Sequence, residues 1–339
     1  MKILITGGLG YIGSHTVVEL QDAGFEPVIA DNLSNSSMEV LEGIYRITGK
    51  KPVLEKVDLR KKNEVEHLFT KHPDIEGAIH FAAFKAVGES VEKPLDYYEN
   101  NLGSLIYVLQ QCTIKADFCF IFSSSCTVYG QPDKLPVTEM ASVKKAFSPY
   151  GNTKQVCEEI IRDSCLVLNS FKAVSLRYFN PIGAHESAEI GELPLGVPQN
   201  LVPYITQTAS GLREKLLVFG DDYQTEDGTC VRDYIHVTDL AKAHVVALKR
   251  LLEGKNKSNY EVFNIGTGKG SSVLEVIKSF ERVSGKKLNY EITGRRPGDV
   301  TAAFADTKKA NEELGWYAEK SLDDAIASAW KWEQKIRKV

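Results

Sequence analysis

The chain has 339 residues, 43% of them apolar and 25% charged, as in an ordinary soluble globular protein long enough for about two domains. Its formal net charge is −4, from 41 Lys and Arg against 45 Asp and Glu, so nothing in it calls for nucleic acid or an acidic membrane surface. Six cysteines without a Cys-x-x-Cys pair and seven histidines without ligand spacing argue against a disulfide framework and against a metal site. Buried reduced thiols in a cytoplasmic protein are the expectation. Met1-Lys2 leads straight into a strand with no secretory pattern, and no apolar run is long enough to span a membrane.

Residues 2–6 form a short apolar run fit for a buried parallel strand. Gly7-Gly8-Leu9-Gly10-Tyr11-Ile12-Gly13 follows at once, then a helical pattern over 14–23, then a strand over 26–30 that ends in Asp31. Strand, glycine turn, helix, strand and acid make up the context of a dinucleotide fingerprint. Gly7, Gly10 and Gly13 let backbone approach a pyrophosphate, whose charge the helix N-terminus favours. A carboxylate at Asp31 accepts bonds from the adenosine ribose and repels a 2′-phosphate. Asn32-Leu33-Ser34-Asn35-Ser36-Ser37 supplies no Arg or Lys to hold that phosphate, so NAD is favoured over NADP. The alternation continues with strands over 53–58, 77–83, 118–122 and 172–178, and helices over 63–70 and within 92–112. It predicts an α/β fold with a Rossmann-type, doubly wound parallel sheet and ligands at its carboxyl ends. Asp58-Leu59 lies at one such end, where an adenine fits.

Tyr150-Gly151-Asn152-Thr153-Lys154 opens a helix after Pro149, with apolar spacing at Val156, Ile160, Ile161 and Cys165. Tyr150 and Lys154 are then one turn apart on one face. An ammonium there is expected to pull the phenol down from its ordinary value of about 10. A base closer to working pH accepts a proton more effectively. Ser125, in the run 123–130, offers a short hydroxyl at the end of the strand over 118–122. These three are the candidate catalytic residues.

After Asn180 the texture changes. A long loop over 181–199 precedes a helix over 201–210, a strand over 215–219 and a polar loop over 220–228. Residues 231–236 lead to a helix over 238–252, a strand over 261–266 and a helix over 272–284. The loop Gly294-Arg295-Arg296-Pro297-Gly298-Asp299 and two more short helices complete the chain. We expect an NAD-binding domain over 1–180, with a later return near 237–266. The remainder, over 181–339, is expected to be a smaller α/β lobe without a core of its own. Arg232 and Arg296 have the fork geometry that suits a diphosphate.

With these residues in view, the chain resembles the extended short-chain dehydrogenase/reductase superfamily and, within it, the UDP-glucose 4-epimerase family. The resemblance runs nearly end to end. It includes Thr6-Gly7-Gly8 to Thr16, Asp31-Asn32-Leu33, His80-Phe81-Ala82, Lys85 to Ser90, and Ser123 to Gly130. It continues through Ser148-Pro149-Tyr150-Gly151, Leu176 to Pro181, Thr225 to Thr229, Val231 to Val237, and Arg295 to Asp299. The resemblance implies NAD contacts from Tyr11, Ile12, Asp31 to Ser36 (Asn35 included), Asp58, Leu59, Phe81, Ala82, Ala83, Phe84, Lys85, Asn100, Tyr150, Lys154 and Phe179. It implies UDP-hexose contacts from Ser125, Tyr150, Asn180, Asn200, Leu201, Leu217, Val218, Phe219, Arg232, Arg296 and Asp299. It also implies a homodimer packed through helices near 92–112 and 150–168, and a place in galactose metabolism.

The implied reaction is an isomerisation. Tyr150 takes the proton of the sugar 4-hydroxyl while NAD takes the hydride from carbon 4. The 4-keto sugar turns over, and the hydride returns to its other face. In relatives confined to glucose and galactose a bulky Tyr stands where this chain has Ala303, so N-acetylated UDP-sugars are expected to fit as well. A 4,6-dehydratase of the same superfamily needs an Asp-Glu pair just after the serine run, where this chain has Cys126 and Thr127. A net dehydrogenase needs exchangeable cofactor. A non-catalytic NAD sensor does not need Ser125, Tyr150 and Lys154 together.

Overall fold

Strand runs that are apolar on both faces must be covered on both sides, and that requirement sets the architecture. The computed structural model describes residues 1–296 and 299–338. In chain order its first half forms β1 (Lys2–Thr6), α1 (Tyr11–Asp22), β2 (Glu26–Asp31), α2 (Met38–Thr48), β3 (Val53–Lys56), α3 (Lys62–Lys71), β4 (Ile75–His80), α4 (Val87–Glu92), α5 (Pro94–Cys112), β5 (Phe118–Ser123) and α6 (Pro149–Val167). There follow β6 (Phe171–Tyr178), β7 (Asn180–Ile182), α7 (Leu201–Ala209), β8 (Leu216–Phe219), β9 (Val231–Arg232), β10 (Tyr234–His236), α8 (Val237–Leu252) and β11 (Tyr260–Ile265). The chain closes with β12 (Ser271–Ser272), α9 (Val273–Ser284), β13 (Tyr290–Thr293), β14 (Ala302–Ala303) and α10 (Leu322–Arg337).

Seven strands form one sheet in the order β11-β6-β5-β4-β1-β2-β3, and each neighbouring pair is parallel. Successive side chains of β1 point to opposite faces, as strand geometry demands. Ile3 and Ile5 join a cluster with Val17 and Val18 of α1 and Leu240 and Leu248 of α8. Leu4 joins the other cluster, with Leu68 of α3, Leu105 of α5 and Ile161 of α6. This is the doubly wound Rossmann-type sheet that the strand–helix alternation predicts. The strand order reverses at the β1/β4 junction, and because the strands are parallel the loops after β1, β2, β4 and β5 open on the same edge.

Three differences from the sequence reading are informative. The alternation does not predict α2 or α4; α2 buries only Leu41, Gly43 and Ile44, too thin a stripe to stand out. The last helix, α10, has 16 residues rather than being short, and a Ser321–Asp324 capping box starts it. The expectation that the lobe lacks a core is corrected. Val202 and Ile205 of α7, Val218 of β8, Phe280 of α9 and Ile326 and Trp330 of α10 form a buried cluster of their own. Phe280 meets Trp330 edge-on at 5.5 Å between centroids. These residues come from four distant segments, so no local window reveals the cluster. Among the described residues, no helix is long and apolar enough to cross a membrane.

Candidate active site

Ser148 accepts a hydrogen bond from the Gly151 amide at 3.1 Å, and Pro149 occupies the first turn of α6. Both features fix where that helix starts. Tyr150 and Lys154 consequently lie one turn apart, and both are buried. Lys154 Nζ donates to the Ser123 carbonyl at 2.8 Å and sits over the Phe122 ring, 4.7 Å from its centroid. The ammonium thereby ties α6 to the end of β5, from which Ser125 projects. Ser125 begins the short turn 126–129, and its Oγ accepts from the Thr127 amide at 3.2 Å and from Thr127 Oγ1 at 3.0 Å. Those two bonds occupy its lone pairs and leave its O–H free to donate.

The electrostatics differ from the sequence expectation. Burial pushes the Tyr150 phenol well above its ordinary value; Tyr178 adds to the rise, and the Ser125 hydroxyl opposes it. The expected lowering by Lys154 is absent, which corrects that reading. Burial acts on the ammonium too, holding Lys154 down at about 8, and one of its N–H bonds is spent on a carbonyl. The protein alone thus makes a dry site in which a further positive charge has a strong lever on the phenol.

The expected dinucleotide residues gather along the carboxyl edge of the sheet. Gly7 has φ of +66°, and a Cβ there would lie 3.0 Å from the Ala82 amide nitrogen; a Cβ at Gly13 would lie 2.3 Å from the Gly7 carbonyl oxygen. Gly10 starts α1, followed by Tyr11, whose hydroxyl donates to the Gly183 carbonyl at 2.7 Å, and by Ile12. Asp31 accepts from the amides of Leu9 and Leu33 at 3.1 and 2.9 Å and from Ser36 Oγ at 2.9 Å. Asn32 Oδ1 accepts from the Ser34 amide at 3.0 Å, while Asn35 is exposed. Asp58 is forked by Arg60 at 2.9 and 2.7 Å, which holds its carboxyl below the usual range, and Leu59 beside it is buried. After β4, the Phe81 and Ala82 amides donate to Thr6, and the Phe84 amide donates to Asn101 Oδ1 at 2.8 Å. Ala83 lies between them, half-buried. Asn100 Nδ2 donates to that same Asn101 oxygen at 2.9 Å. Phe179 is buried just beyond β6.

The expected substrate residues lie across from this edge. Asn180 opens β7, and its amide donates to the Asp233 carbonyl at 2.9 Å. Asn200 precedes Leu201, the first residue of α7. Along β8, Leu217 and Phe219 are exposed, whereas Val218 points into the lobe core, so only its backbone faces the opening. Arg232 donates to Asp299 at 3.4 Å, and Arg296 forks the same carboxylate at 3.2 and 3.0 Å. Two guanidiniums around one carboxylate leave a surplus positive charge. Pro297 and Gly298 of the same motif lie outside the described residues. Ala303 pairs with Arg232 across the β14–β9 ladder and packs against an apolar group containing Phe179, with Cys126 alongside. Among the described residues, no group of three His, Cys, Asp or Glu side chains could hold a metal ion.

A family model described as GDP-mannose 4,6 dehydratase matches residues 4–329. The UDP-glucose 4-epimerase of Bacillus subtilis is 50% identical over 333 residues, covering 98% of this chain and 97% of that protein. The chain belongs to the UDP-glucose 4-epimerase family. The crystal structure of the epimerase from Stenotrophomonas maltophila, with bound NAD and formylated UDP-arabinopyranose, is 46% identical with a TM-score of 0.95, covering 100% and 99% of the two chains. That from Bifidobacterium longum, in complex with NAD+ and UDP, is 46% identical with a TM-score of 0.93, covering 99% and 98%. Dehydratase chemistry sits poorly on this member of the epimerase family. Cys126, where an acidic residue is needed, has its thiol pushed up to about 12 by burial.

Several residues of this epimerase-family site escape sequence reasoning. Asn101 bonds the Phe84 amide and carbonyl and also Thr153 Oγ1, joining the β4 loop to α5 and α6. Glu192 accepts from Lys85 at 3.3 Å and from Asn200 at 2.7 Å, so one carboxylate links the two sides of the cleft. Glu158, four residues past Lys154 on the same stripe, carried a positional signal. Asn101 and Glu192 carried none.

Proposed function

We propose that the chain interconverts UDP-galactose and UDP-glucose by oxidising and re-reducing carbon 4 of the hexose with bound NAD. The observation that carries this reading is the buried Tyr150–Lys154 turn beside Ser125, in a chain of this family. The cleft suits the cofactor. Among the described residues, no side chain caps α1 and no acid occupies its first turn, so its N–H groups are left for a pyrophosphate. Asp31 carries the carboxylate that receives a ribose.

Bound NAD supplies a reversible hydride acceptor, and the positive charge of its nicotinamide favours an ionised phenol nearby. Tyr150 takes the proton from the sugar 4-hydroxyl and gives it back after the ring has turned. Ser125 donates to the same sugar oxygen, using the O–H that Thr127 leaves free. Lys154 fixes α6 against β5 and keeps a positive charge next to the reacting groups. Arg232 and Arg296 hold the diphosphate, while the half-exposed wall around Leu217 and Phe219 leaves the hexose loosely bound. The test is incubation of the purified protein with UDP-galactose and no added cofactor. UDP-glucose is the expected product; a 4-keto or dehydrated product, or a requirement for added NAD at every turnover, would overturn the reading.

A second substrate class is favoured by Ala303, which packs against the apolar group containing Phe179 and whose small methyl would leave space at the sugar 2-substituent. UDP-N-acetylglucosamine and UDP-N-acetylgalactosamine are then interconverted as well. No turnover of either where UDP-galactose reacts removes this second reading.

The exposed Leu95 and Ile106 of α5 and Leu166 and Val167 of α6 support a homodimer packed through those helices. Sedimentation should give the mass of two chains, and a monomer at micromolar concentration would contradict it. Residues 1–180 with the return at 237–266 act as the cofactor-binding unit and 181–339 mainly as the UDP-sugar lobe. A fragment of 1–180, lacking α8 and β11, should not bind NAD; tight binding would show the return to be dispensable. A cytoplasmic location is supported by six free cysteines. Thiol titration of denatured protein isolated without reductant should find all six, and a disulfide would argue against that location.

A further inference from the structure

Glu158 follows Tyr150 and Lys154 on α6 at positions i+8 and i+4, so the three share one face. Its side chain is buried. Oε1 accepts from Ser124 Oγ at 2.5 Å, and Arg177 of β6 donates to both oxygens, with Nε at 3.0 and 3.2 Å and Nη2 at 2.5 Å. The Arg177 guanidinium also lies over the Tyr129 ring, 4.8 Å from its centroid. Tyr129 in turn donates to Asn264 Oδ1 at 2.6 Å.

The placement matters more than the pair itself. Ser124 stands immediately before Ser125, and Tyr129 ends the turn that Ser125 begins. The Glu158–Arg177 pair therefore grips the serine turn at both ends. Ser125 lies between the grips, its Oγ accepting from Thr127. Lys154, bonded to the Ser123 carbonyl, adds a second tie between α6 and the same strand end. A buried ion pair is a poor device for stability alone, because its desolvation cost offsets most of its attraction. Here its bonds run from the helix that carries the base to the residue next to the hydroxyl donor.

We propose that Glu158, acting through Ser124, is a positioning residue that sets where the Ser125 hydroxyl stands relative to the Tyr150 phenol. The inference rests on the epimerase reading above. It applies to the chemical step and not to the binding of UDP-sugar or dinucleotide, since the Glu158 and Ser124 side chains are buried and bonded to each other, and Glu158 also to Arg177.

Glu158→Gln would leave the Arg177 charge buried beside a neutral amide and could unfold the chain, so Ser124→Ala is the better probe. It removes one tie and leaves the Arg177 pair intact. The measurements are kcat and KM for UDP-galactose, retained NAD and Tm, in wild type, Ser124→Ala, Ser125→Ala and the double variant. We expect Ser124→Ala to lower kcat about tenfold, as misplacement of a reacting group does. KM should stay within about twofold and retained NAD should be unchanged. The double variant should be no slower than Ser125→Ala, because both act through one hydroxyl. Wild-type kcat in Ser124→Ala, or losses that multiply in the double variant, would overturn the inference while leaving the epimerase reading intact. A wild-type chain that does not epimerise UDP-galactose would overturn that reading, and this inference with it.

Discussion

On the sheet side of the cleft, Tyr150, Lys154 and Ser125 are 7%, 4% and 6% exposed, whereas on the lobe side Leu217 and Phe219 are 37% and 38% exposed. The sheet-side groups are held by short ties to a buried strand end: Lys154 to Ser123, Ser125 to Thr127 and Glu158 to Ser124. The lobe side offers paired guanidiniums around Asp299 and a strand whose outward side chains, Leu217 and Phe219, are exposed. The difference suits a reaction in which one base must meet both faces of a sugar. The reacting groups have to be rigid, because misplacement costs rate. The opposite wall has to grip the diphosphate and leave the ring free to turn. Mutations on the two walls should therefore fail in different ways.

The largest effect is expected on the rigid wall. Tyr150→Phe removes the proton acceptor and keeps the ring, so kcat should fall about a thousandfold. NAD should remain bound through gel filtration, because the glycine turn and Asp31 are untouched. Turnover near that of wild type would refute the assignment of the base.

Lys154 gives a prediction about pH as well as rate. Burial lowers its pKa from 10.5 to about 8, so between those values the unfolded chain binds more protons than the folded one. Stability of the cofactor-free protein should then rise with pH through that window. At neutral pH the charged, buried ammonium costs about 3 kcal/mol, offset by about 1 kcal/mol from its bond to Ser123. Lys154→Met should thus inactivate the protein yet make its cofactor-stripped form more stable at pH 7, by about 2 kcal/mol. That advantage should fade as pH approaches 10.5. Urea unfolding at pH 7 and pH 10 measures it; a Met variant less stable at pH 7 would mean that the ammonium's bonds outweigh its burial.

On the open wall the expected failure is in binding. Arg296 is largely exposed and pairs only with Asp299 among the described residues, so Arg296→Met should not disturb the fold. Losing one charged contact to the diphosphate should raise KM about tenfold and leave kcat within about twofold. The rise should shrink at high salt, which already weakens that contact. A fall in kcat with KM unchanged would move Arg296 from holding the substrate to the chemical step.

The same contrast explains what could be read from the sequence. The glycine turn, Asp31 and the Tyr150–Lys154 spacing are local patterns, legible because strand and helix periods fix them within about twenty residues. The seven-stranded sheet followed from repeating that logic. Glu192 was not legible: it reaches Lys85 across 107 positions, through a loop with no period. The lobe core was hidden for the same reason. The pKa of Tyr150 failed differently. The neighbouring lysine was visible in the sequence, but the burial that raises the phenol is a property of the packed fold.

The smallest predicted effect on UDP-galactose turnover concerns Ala303, which belongs to the lobe through β14 yet packs against the apolar group that contains Phe179. A larger side chain there fills space without touching any of the ties that place Tyr150 or Ser125. Ala303→Tyr should leave kcat/KM for UDP-galactose within about threefold while lowering it for UDP-N-acetylglucosamine at least tenfold, the range that steric exclusion of a small group gives. The ratio of the two values is the sensitive readout, because any general loss from misfolding cancels in it. An unchanged ratio would mean that the 2-substituent points elsewhere. A collapse of both values together would mean that Ala303 is part of the rigid wall and that the boundary between the two walls has been drawn in the wrong place.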